Sequence, residues 1–180
     1  MDDFKSVINK INKLLKVARP KDEFSHAQNT LKWVKLLAKE PSQALVIAAL
    51  AHDIERWSRE DREHQRANES YDEYKRRHSN IGAEIISNLL SQFNFSKDFI
   101  AQVADLVREH EFGGNTETNI LQDADSISFF DNNLDYYLKR NGYKRTAEKV
   151  KWMFNRCSKR AQAQIVQLPK YQIFSKLNPQ

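Results

Sequence analysis

The sequence has 180 residues, and 29 basic against 24 acidic side chains give a formal net charge of +5. A chain of this length can bury the core of one compact domain, and 40% hydrophobic with 29% charged residues is typical of a soluble globular protein. The four glycines lack the close spacing of dinucleotide-binding or Walker-type loops, which excludes both. One cysteine excludes an internal disulfide and a cysteine-based zinc knuckle, and we expect a reducing, cytoplasmic setting.

The charge is unevenly distributed. From residue 138 to the C-terminus there are 11 basic residues and one acid, Glu148, whereas residues 1–137 carry 18 basic and 23 acidic residues. The acidic body and basic C-terminal segment suggest a phosphate-bearing partner, although a solvated helix face is the commoner cause of such an excess. No stretch of about 18 apolar residues is present, so we predict no membrane span and no secretory signal.

Helical periodicity and scarce glycine and proline predict an all-α fold in one domain, 1–180. An apolar stripe from Phe4 to Leu15 predicts the first helix, and the eight apolar residues 44–51 predict a central helix buried on every side. The remaining predicted elements, in chain order, are a helix over 23–39, an exposed loop or short surface helix over 58–70, and helices over 71–92, 96–111, 120–138 and 146–164. On the 71–92 helix, Tyr74, Ile81, Ile85 and Leu89 are predicted to face inward.

Four of the five histidines fall on predicted apolar stripes: His26, His52, His78 and His110. A single inward histidine is usually a core residue with a satisfied hydrogen bond. Four together, with acidic residues nearby, supply the imidazole and carboxylate ligands that divalent Zn, Mn, Fe or Ni accepts inside a helical bundle. His64 lies in the polar segment, and we do not expect it to be a ligand.

The pair His52-Asp53 ends the central apolar helix. Adjacent residues on a regular helix point about 100° apart, so both could bind one ion only where the helix ends or distorts. A helix end whose polar residues simply meet solvent is the alternative. Further along, Asp123 and Asp125 are both candidate ligands, and helical periodicity does not choose between them.

These elements resemble the HD-domain metal-dependent phosphohydrolase superfamily, an all-α fold with a first His, a His-Asp pair ending a buried helix and a later Asp. His26, the segment 48–54 around His52-Asp53, and Ala124-Asp125 occur in that order, so the likeness covers roughly residues 20–135. Residues 138–180 would then be a basic helical extension. The segments around His78 and around Glu109-His110-Glu111 are similar to members that hold two metals.

The resemblance implies that His26, His52, Asp53 and Asp125 bind one divalent ion (Mn, Fe, Ni, Zn or Mg), and that His78 and His110 bind a second ion bridged by Asp53. Asp125 is preferred over Asp123 because it occupies the family's Ala-Asp position. Glu55 stands where the family has Gly, and we place it with Asp53 as a catalytic candidate. Arg56 replaces the usual Lys and could clamp phosphate with its forked guanidinium.

The function that this implies is hydrolysis of a phosphomonoester or phosphodiester, a nucleotide being the expected substrate, by metal-activated water. Arg56 and the C-terminal residues Arg156, Lys159 and Arg160 are the predicted phosphate-binding side chains. The alternative is a regulatory module of the same fold that senses a nucleotide or metal without catalysis. We do not expect nucleic-acid binding, because the basic residues lack an obvious stacking platform beyond Trp152 and Tyr143. A homodimer is compatible with the sequence, which does not determine the oligomeric state.

Overall fold

The computed structural model of the protein describes residues 3–18, 22–58 and 65–177, and all regular structure within them is helical. The helices are α1 (Asp3–Val17), α2 (Asp22–Leu37), α3 (Gln43–Ala51), α4 (Ile54–Ser58), α5 (Tyr71–Leu90), α6 (Lys97–Glu109), α7 (Thr116–Ser128), α8 (Leu134–Asn155), α9 (Lys159–Ile165) and α10 (Pro169–Lys176), with a π-helical turn at Phe129–Asn133 between α7 and α8. The predicted all-α helical bundle is confirmed. The prediction for His64 lies outside the described residues.

Helix α3 lies at the centre of the bundle and contacts α1, α2, α6 and α7. Ser42 caps its first turn by accepting a hydrogen bond from the Leu45 amide. Seven of its nine residues are buried, as the uniformly apolar sequence predicts. The regular helix stops after Ala51, and His52 and Asp53 form a turn before α4 begins at Ile54. The central apolar helix therefore delivers this pair to the interior at a point where the backbone departs from a continuous helix.

The buried face of α5 differs from the predicted one. Tyr74, Ile81 and Ile85 are only partly buried, whereas the small residues Ser79, Gly82 and Ala83 are buried beside His78. A Cβ added at Gly82 would lie 3.3 Å from Val107 Cγ1, so the missing side chain allows α5 to approach α6 closely. The prediction holds for Leu89, which is buried, but hydrophobicity misassigned the part of the face around His78, where the close packing uses small residues.

The C-terminal part of the chain is also divided differently. The predicted helix over 146–164 is instead the second half of α8 followed by a separate helix α9, which is capped by the Ser158 side chain. Gly142, with φ of 75°, kinks α8. A tenth helix, α10, begins at Pro169 and was not predicted from the sequence. Within the described residues, no helix has both the length and the apolar character needed to cross a bilayer.

The turn between α6 and α7 depends on glycine. Gly113 has φ of +74°, and a Cβ there would lie 2.4 Å from Asn119 Oδ1, which accepts a hydrogen bond from the Gly114 amide at 2.9 Å. We expect Gly113→Ala to lower the free energy of unfolding by about 2–3 kcal/mol, since left-handed strain costs about 1–2 kcal/mol and disturbing the hydrogen bond costs about 1 more. Gly142→Ala is the matched control in urea denaturation, because Gly142 has φ of +75° but nothing within 4 Å of the added Cβ. If both variants lose the same unfolding free energy, the contact between the added Cβ and Asn119 does not contribute to the cost.

Candidate metal centre

Five helices bring the six predicted metal ligands to one place. His26 comes from α2, His52 and Asp53 from the turn after α3, and His78 from α5. The remaining two are His110, the residue after α6, and Asp125 of α7. All six are buried, and their side chains form two adjacent groups. We call His26, His52 and Asp125 cluster A, and Asp53, His78, His110 and Glu111 cluster B.

Cluster A is compact. His26 Nε2 lies 3.0 Å from Asp125 Oδ1 and 3.3 Å from His52 Nε2. His52 Nε2 in turn lies 3.5 Å from Asp125 Oδ1. Three side chains that are up to 99 positions apart in the sequence thus direct two imidazole nitrogens and one carboxylate oxygen at each other. Nitrogen and oxygen donors of these types are ligands that divalent transition metals accept.

Asp53 faces both clusters. Its Oδ2 lies 3.8 Å from His52 Nε2 in cluster A. Its Oδ1 lies 2.8 Å from His78 Nε2 and 3.9 Å from His110 Nε2 in cluster B. A carboxylate with one oxygen toward each group can bridge two ions, which is the role that the sequence resemblance implies for this residue.

Each of the four imidazoles presents Nε2 to the centre and anchors Nδ1 elsewhere. The Nδ1 atoms pair with Ser128 Oγ at 2.9 Å (His26), Ala49 O at 3.0 Å (His52), Glu55 Oε2 at 2.7 Å (His78) and Val107 O at 2.7 Å (His110). Because a carbonyl only accepts, the Nδ1 atoms of His52 and His110 carry protons, and the lone pair of the neutral ring is then on Nε2. Metal-binding histidines show this arrangement, in which a hydrogen bond to the other ring nitrogen orients the ring toward the ion.

Two observations test whether these residues fit a metal ion. His110 Nε2 is buried and makes no hydrogen bond within the described part of the chain. His26 Nε2 and His52 Nε2 face each other at 3.3 Å, an arrangement that needs a proton or another cation between or beside them. A divalent ion in each cluster would satisfy both, so the donor set fits the group.

Burial and the neighbouring charges set the protonation of the centre. Burial opposes ionisation of Asp125, but Arg156 and the histidines hold the pKa of its carboxyl well below the usual range. Burial likewise opposes a charge on His52, yet Asp53 and Asp125 outweigh it and raise the pKa of His52 to about 9. In His110 burial is the largest influence, and its pKa is lowered. The metal-free centre therefore holds a protonated His52 at neutral pH.

This protonation predicts a pH dependence. His52 has a folded-state pKa of about 9 against an ordinary 6.5, so its contribution to stability is complete below pH 6.5 and is lost as the pH rises through 9. We expect the metal-free protein to lose about 3 kcal/mol of unfolding free energy between pH 6.5 and 9.5. Over the same interval metal affinity should rise, because the ion displaces a proton from His52. Urea denaturation with chelator, and calorimetric metal titrations at several pH values, measure both; a pH-independent affinity would contradict this.

The structure distinguishes the two aspartates of α7. Asp125 lies in cluster A, whereas Asp123 accepts hydrogen bonds from the backbone amide and the hydroxyl of Ser158. Ser158 is the N-cap of α9, so Asp123 fixes the start of that helix. Both aspartates are therefore buried, one in cluster A and one against α9, which is why helical periodicity could not tell which of them is the candidate ligand.

Glu55 does not occupy the position expected of a catalytic group. It is fully buried and accepts a hydrogen bond from His78 Nδ1 at 2.7 Å, on the side of the ring away from Asp53. The described residues that line the cavity do not include it. The catalytic prediction for Glu55 is therefore revised: its carboxylate orients a candidate metal ligand.

The predicted phosphate-binding residues divide into three cases. Arg56 lines the cavity, with Nε 3.1 Å from Asp53 Oδ1. Arg156 is not free to bind phosphate, because its guanidinium pairs with Glu111 and Asp125 and donates to Ser126 Oγ. Lys159 and Arg160 lie away from the cavity: Lys159 is exposed, and Arg160 donates to the Leu37 carbonyl at the end of α2. The predictions for Arg156, Lys159 and Arg160 are corrected accordingly.

Three buried charged residues were missed from the sequence. Glu111 Oε1 lies 3.4 Å from His110 Nε2, and the Glu111 carboxylate pairs with both Lys75 and Arg156. Lys75 lies one turn before His78 on the same helix face, a spacing that could have indicated it. Glu23 is one turn before His26, and burial followed by the charge of Asp53 raises the pKa of its carboxyl.

The centre opens into a cavity of about 250 Å³. His26, Asp53 and Asp125 line it. The other described lining residues include basic, aromatic and acidic side chains: Arg56, Lys75, Arg140, Arg145, Lys149, Tyr71, Tyr74, Phe129, Tyr136, Tyr137, Asp22, Glu23 and Glu111. Several of these come from the basic C-terminal segment, so that segment does contribute positive charge to the site, through residues of α8 rather than α9.

A family model described as Domain of unknown function (DUF4202) matches residues 8–177. The chain belongs to this family. The DUF4202 match includes every residue of clusters A and B and the described residues of the cavity walls. Searches of curated proteins and of solved structures give no match. The family description names no activity.

Proposed function

We propose that this protein is a metal-dependent phosphohydrolase of the HD-domain type that acts on a small phosphomonoester or phosphodiester, with nucleotides as the first candidates. The observation that carries the proposal is the convergence of four anchored imidazole Nε2 atoms in two adjacent clusters that Asp53 faces, next to a cavity with cationic side chains in its lining. Buried histidine and carboxylate ligands suit a catalytic divalent centre, and Arg140, Arg145 and Lys149, which pair with no carboxylate in the described part of the chain, suit an anionic substrate. The single buried cysteine also supports a cytoplasmic location.

His26, His52 and Asp125 would hold one ion, His78 and His110 a second, and Asp53 would bridge them. Glu111 is a further candidate ligand of the second ion. When bound, the ions would lower the pKa of an attacking water and neutralise charge on the phosphoryl oxygens.

The chain's own residues would bind and orient the substrate. Arg56, fixed beside Asp53, presents a guanidinium to the cavity and can donate to phosphoryl oxygens. Glu23 lines the same cavity, and burial raises the pKa of its carboxyl, which makes Glu23 the candidate to donate a proton to the leaving-group oxygen. The aromatic walls can pack against the ring of a nucleoside.

The test is phosphate release from a panel of nucleoside mono-, di- and triphosphates by metal-free protein reconstituted with Mn²⁺, Ni²⁺, Fe²⁺, Zn²⁺ or Mg²⁺. We expect release that needs added metal, is lost in Asp53→Ala and persists in Lys151→Met, a variant of an exposed residue on α8. If nucleotides raise the melting temperature in a dose-dependent way while no phosphate is released, a sensing module replaces the enzyme. A protein that binds no divalent metal contradicts the enzyme, whereas nucleotide binding by such a protein would still support a sensing module.

A further inference from the structure

Two of the five basic residues on the cavity wall already have acidic partners. Arg56 Nε lies 3.1 Å from Asp53 Oδ1, and the Lys75 ammonium pairs with Glu111. These cations therefore balance carboxylates of the metal centre. The other three, Arg140, Arg145 and Lys149, all belong to α8, and none pairs with a carboxylate within the described part of the chain.

Lys149 is the most enclosed of these three. Its ammonium lies 5.1 Å from the centre of the Phe129 ring and 5.4 Å from that of the Tyr137 ring. These two aromatic faces hold the cation against the cavity wall. Burial, followed by the nearby cations Lys75 and Arg56, lowers the pKa of Lys149, with Tyr71 acting in the opposite direction. The surroundings of Lys149 therefore favour binding of an anion next to its ammonium group.

Arg145 is one helical turn before Lys149, and both line the cavity. Met153, one turn after Lys149, lines it as well, so this face of α8 is directed at the cavity. Like charges at positions i and i+4 repel each other by a few tenths of a kcal/mol in an isolated helix. An anion between the two side chains would turn that repulsion into two favourable contacts.

We propose that Lys149 and Arg145 form a second anion subsite, and that the substrate carries a second phosphoryl group in addition to the one that reacts at the metal centre. This inference rests on the proposed function for the position of the reacting group. The subsite itself depends only on the geometry of α8 and the cavity. It would make the protein prefer nucleoside diphosphates or bisphosphates over monophosphates.

Binding of three adenosine compounds tests the subsite: the 5′-monophosphate, the 5′-diphosphate and the 3′,5′-bisphosphate. Calorimetric Kd values are measured on the metal-free protein, and KM and kcat on the metal-loaded protein. We expect the wild type to bind at least one doubly phosphorylated compound roughly tenfold more tightly than the monophosphate, since a charged hydrogen bond contributes about 1.5 kcal/mol or more. Whichever compound shows the preference identifies where the second phosphate lies.

Lys149→Met and Arg145→Met should each reduce this preference toward one, and Lys151→Met on the exposed side of α8 should keep it. Arg145 is exposed, so its variant keeps the test valid if Lys149→Met folds poorly. A wild-type preference near one, no binding of any compound, or an unchanged preference in both variants overturns the subsite. If the preference falls in the variants but no phosphate is released from any compound, the subsite is supported and the hydrolase proposal fails. If phosphate is released but both variants keep the wild-type preference, the hydrolase proposal is supported and the subsite fails.

Discussion

Asp53→Ala is expected to lose both ions and to lower kcat/KM by at least about 10³-fold. Asp53 is the carboxylate that faces both clusters, with oxygens 3.8 Å from His52 Nε2 and 2.8 Å from His78 Nε2. Removing it deprives both ions of a ligand and of their shared negative charge. Several kcal/mol of transition-state stabilisation depend on such ions, and each 1.36 kcal/mol is a factor of ten in rate. Elemental analysis after dialysis and steady-state phosphate release measure the two losses.

The aspartates of α7 supply the matched controls. Asp125→Ala should lose the cluster A ion, because Asp125 Oδ1 lies 3.0 Å from His26 Nε2. Asp123→Ala should keep its metal and lose about 3 kcal/mol of stability, because it removes the two hydrogen bonds that its carboxylate accepts from Ser158. Metal loss in Asp123→Ala, or full metal content in Asp53→Ala, would contradict the assignment of the ligands.

Arg156→Met is expected to destabilise the metal-free protein by about 3–5 kcal/mol. The Arg156 guanidinium pairs with Asp125 of cluster A and Glu111 of cluster B, and all three side chains are at least nine-tenths buried. Removing one partner of a buried ion pair leaves uncompensated charge, which has a cost of this size. Divalent metal should reverse part of the loss, since the ions neutralise the same carboxylates. Urea denaturation with chelator and with Mn²⁺ measures both effects.

Lys159→Met is the control for Arg156→Met, because Lys159 is exposed and, among the described residues, its ammonium bonds to the nearby Gln162 side chain. Its effect on the free energy of unfolding should stay within about 0.5 kcal/mol. If Arg156→Met costs no more than Lys159→Met, Arg156 does not neutralise the centre. If added metal does not restore any of the unfolding free energy lost in Arg156→Met, Arg156 stabilises the fold independently of the charge on the metal ligands.

The candidate ligands could be predicted because they follow simple sequence rules. His26 and His110 each continue an apolar stripe, and a uniformly apolar helix marked the position of His52-Asp53. His78 is buried as predicted, although Tyr74 and Ile81, the stripe that predicted it, are only partly buried. The helix is interrupted at this pair. Helix geometry requires such an interruption if the His52 and Asp53 side chains are both to approach one centre.

The supporting charges could not be predicted in the same way, because their roles depend on contacts between distant segments. Arg156 and Lys159 are three positions apart and both basic, yet one lies between two site carboxylates and the other in solvent. Asp123 and Asp125 are only two positions apart, yet Asp125 lies in cluster A and Asp123 bonds to Ser158. Both differences depend on the break between α8 and α9, which periodicity did not reveal because apolar residues continue across it.

The most direct test of the two-cluster centre is a crystal structure of the metal-reconstituted protein with an anomalous-scattering map, paired with elemental analysis of the same sample. We predict two ions per chain, one beside His26, His52 and Asp125 and the other beside His78 and His110, with Asp53 between them. A protein that binds no divalent ion, or that binds one away from Asp53, would contradict the centre proposed for this chain.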